Sequence, residues 1–199
     1  MNGAGKSSLA GAAFRDAGAN YYNPDEAARL IRSAKPRLSQ ADANGLAWQQ
    51  GRRLLERAMA ERLDFAFETT LGASTMPRLL AEAADNGAEV RIWYVGLENV
   101  DLHLARVRAR VRHGGHDIPE ADIRRRYDNS CLNLIHLMPK LAALRVYDNS
   151  VDADPARGRV PEPRLVLHVQ WREIAGPEDL SRAPVWAKAI VAAALKGTE

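Results

Sequence analysis

Asn2-Gly3-Ala4-Gly5-Lys6-Ser7-Ser8 stands at the head of the chain and decides how the rest is read. It matches the back half of the pattern G-x-x-x-x-G-K-[ST], a glycine-rich turn that opens a helix. Glycines let consecutive backbone N–H groups turn toward one anion, and the helix that follows presents the positive end of its dipole. Lys6 can then reach the β- and γ-phosphates of a nucleotide, while the Ser7 hydroxyl can ligate Mg²⁺. Gly3, Ala4, Gly5, Lys6, Ser7 and Ser8 are therefore the candidate contacts to ATP, with Ser7 the candidate metal ligand. At average residue frequencies, G-x-G-K-[ST] arises by accident in roughly one chain in a hundred of this size.

The first glycine of the pattern, and the apolar strand that leads into it, are absent from the sequence. In a phosphate-loop fold that strand lies mid-sheet, so neighbouring strands are expected to keep unpaired edges. A start upstream of Met1, or a shortened chain, is the matching expectation. The same Asn-Gly-Ala-Gly-Lys-Ser string occurs in ATP-binding cassette ATPases. Those also carry a Leu-Ser-Gly-Gly-Gln signature and an apolar strand ending in Asp-Glu, and this sequence has neither.

Outward from the loop, strand and helix signals alternate, the pattern of a mostly parallel sheet with helices on both faces. Residues 6–17 read as a helix and 20–23 as a short strand end. Helix signals follow over 24–33 and 39–63, the second with Ala47, Leu54, Leu55, Ala58 and Met59 on one face. Residues 65–71 read as a buried strand, and 74–86 as a helix ending at Gly87. The clearest strand is 90–97, rich in β-branched and aromatic residues. Helices are expected over 99–112 and from Pro119 to about 138, with Gly114-Gly115 between them. A short strand over 144–147, one strand over 164–174 and a helix over 184–195 complete the chain, with 151–163 a connector. The expected fold is one α/β domain over 1–199, a three-layer P-loop NTPase fold, with a helical lid around 106–130.

Composition agrees. The chain has 199 residues, 46% hydrophobic and 27% charged, ordinary for one soluble domain. No run approaches the roughly 18 apolar residues of a membrane span. The N-terminus lacks a secretory pattern, and the single cysteine, Cys131, forms no internal disulfide, so a cytoplasmic location is expected. A net charge of +3 is too mild to imply nucleic acid. Arginines at 106, 108, 110 and 112, and again at 124–126, form a local cluster suited to several phosphates on one ligand.

Asn23-Pro24-Asp25-Glu26 follows a strand end, where ligand loops of open α/β sheets gather. A carboxylate there can take the proton of an attacking hydroxyl, yet the same residues also make an ordinary helix cap with acids in the first turn. Phe67-Glu68-Thr69-Thr70 closes the next strand with polar groups, as a capped turn would also do. The stretch from Arg112 through Pro119 to Arg126 reads as a flap hinged at Gly114-Gly115, its arginines able to grip transferring phosphate oxygens. A solvated basic hairpin is the plainer alternative. His113 and His116 have no further ligands nearby, so no metal site is expected there. The tetrapeptide Tyr-Asp-Asn-Ser occurs at Tyr127 and at Tyr147, and reads as coincidence.

In order, these pieces resemble the zeta toxin family of P-loop kinases, in particular its short bacterial branch. The matching residues are Gly3-Ala4-Gly5-Lys6-Ser7, Asn23-Pro24-Asp25-Glu26, Phe67-Glu68-Thr69-Thr70 and Gly114-Gly115-His116-Asp117-Ile118-Pro119. Arg124-Arg125-Arg126-Tyr127, Tyr147-Asp148-Asn149-Ser150 and Pro184-Val185-Trp186 continue the match. The resemblance implies ATP-dependent phosphorylation, with Mg²⁺, of the 3′-hydroxyl on the sugar of UDP-N-acetylglucosamine, and a small antitoxin partner. On that basis Asp25 is the candidate base, and Lys6, Arg112, Arg125 and Arg126 are candidate phosphate clamps. Asn23, Glu68 and Thr69 become the candidate acceptor contacts. A housekeeping small-molecule kinase with another acceptor, and a catalytically silent nucleotide-binding module, are the alternatives.

Overall fold

A computed structural model of the chain describes residues 3–7, 11, 14, 21–112, 117–151 and 162–197. The fold divides into two compact units, one of Ser7–Thr69 and one of Met1–Lys6 with Thr70–Glu199. The helix expected over 6–17 and the Gly114-Gly115 turn fall mainly outside the described residues, as does most of the connector 151–163.

In the unit Ser7–Thr69, β1 (Tyr21–Tyr22) runs parallel to β2 (Ala66–Phe67), with Tyr21 opposite Ala66 and Tyr22 opposite Phe67. Helix α1 (Pro24–Ala34) begins where its sequence says it should. The Asn23 side chain accepts from the amides of Asp25 at 2.9 Å and Glu26 at 3.2 Å, and Pro24 occupies the first turn. Helix α2 (Gln40–Glu61) starts at Ser39, whose hydroxyl accepts from the Asp42 amide at 3.1 Å. The two helices pack through Ala28 against Ala43 and Ala47, small side chains that let the backbones come close. Of the expected α2 face, Ala47, Leu55 and Ala58 are buried, while Leu54 and Met59 are only half-buried.

The buried strand expected over 65–71 is a correction. Among the described residues pairing covers only Ala66–Phe67, both half-buried, because the facing strand β1 is two residues long, and its last rung is the Glu68 amide to the Tyr22 carbonyl at 3.0 Å. Leu71 then takes a left-handed φ of 55°, outside the extended range of a regular strand.

The other unit is built on a sheet of order β3-β4-β5-β6. Strands β3 (Arg91–Gly96) and β4 (Ala143–Asp148) are parallel, while β5 (Arg164–Gln170) and β6 (Glu173–Gly176) join antiparallel. Among the described residues, β3 pairs on one side only. The sheet core is Leu144, Val146 and Leu167, all fully buried, and Ile190 from the last helix, α6 (Lys188–Lys196), is buried as deeply. Helix α3 (Thr75–Asp85) ends as expected at Gly87. With Gly87 at φ 88°, its amide reaches the Ala84 carbonyl at 3.0 Å, and the Ala88 amide reaches Ala83 at 3.0 Å, closing the helix end.

The single strand expected over 164–174 is a second correction, since it is a hairpin. Trp171 and Arg172 both take positive φ, 50° and 71°, the two-residue loop whose twist matches flanking strands. That conformation ordinarily calls for Asn or Gly, so no turn signal was present in the sequence. The Trp171 amide donates to the Ala142 carbonyl at 3.0 Å, a tie that helps hold the unfavourable geometry.

Candidate functional site

The phosphate loop lies in the second unit, up to Lys6. Gly3 and Gly5 adopt φ of 68° and 84°, left-handed values on either side of a fully buried Ala4. Such residues turn neighbouring N–H groups toward one side, the ingredient of an anion-binding nest. Gly3 also faces helix α4 (Val100–Arg112), where an added Cβ would lie 3.3 Å from the His103 carbonyl and 3.4 Å from Val107. Behind the loop, the Asn149 side-chain amide donates to the Ala4 carbonyl at 2.9 Å.

The strand ends carry that asparagine. The Asn149 backbone amide donates to Gly96 at 3.0 Å, linking the carboxyl ends of β3 and β4, where ligands of open α/β sheets bind. The Asp148 carboxylate accepts from the Trp186 indole at 3.2 Å and from the Ser150 hydroxyl, and Arg164 approaches it at 3.8 Å. Ser150 in turn accepts from the Glu98 amide at 2.7 Å. Asn149, with this bracket around it, was missed by sequence reasoning. It was named there only within the Tyr147-Asp148-Asn149-Ser150 match to the zeta toxin family, with no role of its own.

The arginines fall on α4 and on α5 (Glu120–Leu137), helices packed on each other through Leu104, Val107 and Ile123, with Ile118 just ahead of α5 in the same cluster. Arg112 is exposed at the end of α4. Arg124 pairs with Glu120 and reaches Asp101 at 3.3 Å; Arg125 pairs with Asp122 at 2.6 Å. Arg126 lies 3.7 Å from Asp122, and its stem presses on the backbone of Gly72. The described parts of the expected lid are thus a helix pair with its own apolar core. The hinge residues themselves lie outside the described residues.

The remaining candidates sit in the unit Ser7–Thr69. Asn23 is buried, and besides capping α1 its Nδ2 approaches Ser7 Oγ at 3.4 Å and Glu68 Oε1 at 3.4 Å. Tyr21 also donates its hydroxyl to Glu68 Oε1. Asp25 is exposed in the first turn of α1, and Thr69 is half-buried just past β2. The helix-cap reading of the Asn23 segment is therefore realised, and the same side chain also stands in a polar cluster with Ser7 and Glu68. Ser7 is exposed, and Ser8 lies outside the described residues. The donors suit a magnesium nucleotide: a glycine cradle, an ammonium group and a hard hydroxyl oxygen. No group of three metal-ligating side chains occurs among the described residues, and none of their helices is long and apolar enough to cross a membrane.

An α/β fold with left-handed glycines directly before Lys6-Ser7 defines a P-loop nucleotide-binding domain. The chain belongs to the AAA domain family AAA_33, a P-loop NTPase family of kinase-like character, whose model matches residues 1–129. An uncharacterized protein of Haemophilus influenzae is 34% identical over 126 residues, covering 63% of this chain and 86% of that protein. No solved structure matches.

Proposed function

We propose that this protein is an ATP-dependent phosphotransferase that moves the γ-phosphoryl group to a hydroxyl of a small molecule. The acceptor class we infer is a UDP-N-acetylhexosamine, from the ordered resemblance to zeta toxins. A cytoplasmic toxin held by a small antitoxin is the biological setting that resemblance supplies. The observation that carries the reading is the pair of left-handed glycines, Gly3 and Gly5, immediately before Lys6 and Ser7.

In this mechanism Asp25 accepts the proton as the acceptor oxygen attacks the γ-phosphorus, and the bond to the bridging oxygen breaks to release ADP. Lys6 offsets charge developing on the β- and γ-oxygens, and exposed Arg112 and Arg125 are the side chains suited to grip the group in transit. Magnesium, when bound through Ser7, supplies further neutralisation of the phosphates. Glu68 and Thr69 orient the acceptor, and Asn23 holds the start of α1 so that Asp25 keeps its place.

The test is ADP release measured over a panel of UDP-sugars, nucleotides and free sugars. Lys6→Ala is expected to lose about 100-fold or more and Asp25→Asn roughly 100- to 10,000-fold in turnover. Full turnover in Asp25→Asn would remove the base assignment. The N-cap made by Asn23 favours a second reading, in which this segment only starts a helix and the chain binds nucleotide without transferring it. Magnesium-dependent ATP affinity with no acceptor-stimulated ADP release would select that reading.

A further inference from the structure

Asn149 is 145 residues from Ala4 in sequence, yet its amide nitrogen meets the Ala4 carbonyl at 2.9 Å. Only 5% of Asn149 is exposed, and Ala4 is fully buried, so water does not compete for this bond. The same nitrogen occupies the Cβ side of Gly5, where any side chain would lie 2.6 Å from it. The Asn149 backbone is itself anchored to Gly96, and the residues on either side are held by Trp186 and by the Glu98 amide.

A trans peptide is planar, with its C=O and N–H pointing in opposite directions. Drawing the Ala4 carbonyl toward Asn149 therefore aims the Gly5 N–H to the opposite side, away from the protein wall. An Ala–Gly peptide is also the kind most easily flipped, because glycine accepts positive and negative φ with similar ease. A flip would turn the carbonyl outward, replacing a donor with a partial negative charge where phosphates bind.

We propose that Asn149 is a positioning residue that locks the Ala4–Gly5 peptide, keeping the Gly5 amide as a donor to the β- and γ-phosphates of the nucleotide. The role rests on the nucleotide-binding reading above and adds to it a determinant outside the phosphate-loop motif. Asparagine suits the task. Its nitrogen must be the atom facing Ala4, since a carbonyl can only accept.

Asn149→Asp keeps the shape, removes the donor and sets oxygen against oxygen. Calorimetry with Mg·ATP and with AMP, on the full chain, reads the effect. The expected result is Mg·ATP affinity roughly ten- to hundredfold weaker in Asn149→Asp, with AMP affinity unchanged, because AMP has no β-phosphate for the loop to hold. Asn149→Ser, which retains a shorter donor, is expected to fall between, and thermal melting monitors folding of both variants. Unchanged Mg·ATP affinity in Asn149→Asp would overturn the proposal while leaving nucleotide binding intact. Equal losses for ATP and AMP would overturn it too, by making Asn149 a structural residue only. If the unaltered protein fails to bind Mg·ATP, the functional reading falls and this one falls with it.

Discussion

The indole of Trp186 lies against the backbone of Gly96 with no room for a side chain between them. A Cβ added at Gly96 would fall inside the ring's van der Waals envelope, at the point where β3 ends. Gly96→Ala is expected to destabilise the protein by about 1–3 kcal/mol, the usual cost of overpacking. Trp186→Ala, which removes the ring, should make the second substitution far cheaper. Thermal melts of the two single variants and the double variant measure this, and additive losses would mean that the two residues do not compete for the same space.

Arg125 and Arg126 are adjacent on α5 but differ in surroundings. Arg125 has 64% of its side chain exposed and pairs with Asp122, whereas the Arg126 stem packs on Gly72. Exposed ion pairs contribute little, so Arg125→Ala should leave stability within about 0.5 kcal/mol. Arg126→Ala loses packing and is expected to cost about 1 kcal/mol. If Arg125 grips the transferring group, Arg125→Ala lowers turnover about tenfold or more at unchanged melting temperature. Unaltered turnover in that variant would remove Arg125 from the catalytic set.

Burial pushes the Cys131 thiol above its ordinary value, although the Tyr94 hydroxyl, 3.3 Å away, acts in the opposite direction. The thiolate is the reactive form, so at pH 8 alkylation by iodoacetamide should run slower than for a free thiol. The rate-versus-pH midpoint is expected above about 8.5. A midpoint below that value would contradict the buried environment.

His168 is held below the ordinary imidazole value, first by burial and second by the Arg145 guanidinium. An imidazole with a lowered folded value stays neutral while the unfolded chain takes up its proton. Its contribution to stability is therefore complete above about pH 6.5 and declines as pH falls below it. Proton NMR titration of His168 should show the lowered midpoint. Arg145→Ala should raise it part of the way, since burial remains. No movement would mean that the arginine charge is not felt at the ring.

Much of the local structure was legible from the residues. The cap at Asn23, the helix start near residue 39 and the stop at Gly87 sit where the sequence placed them, because each depends on hydrogen bonds spanning only a few residues. The strand over 90–97 and the helices after it were equally clear. The hairpin at Trp171-Arg172 was not, since its left-handed turn uses residues that carry no turn signal. Nor was the short extent of β2, whose pairing among the described residues is with the two-residue β1 alone.

For the candidate site the division is similar. Sequence alone determined the phosphate-loop glycines, the Lys6-Ser7 pair and the place of Asp25 at a helix start, since motif chemistry and capping are written in consecutive residues. Only the tertiary structure decided that Asn149 stands behind Ala4, that Glu68 gathers Tyr21 and Asn23, and that Arg126 is packed while Arg125 is exposed. Those partners lie tens to more than a hundred residues apart or, for the two arginines, side by side on one helix. Their meeting depends on how strands pair and helices pack, which no short stretch of chain encodes by itself.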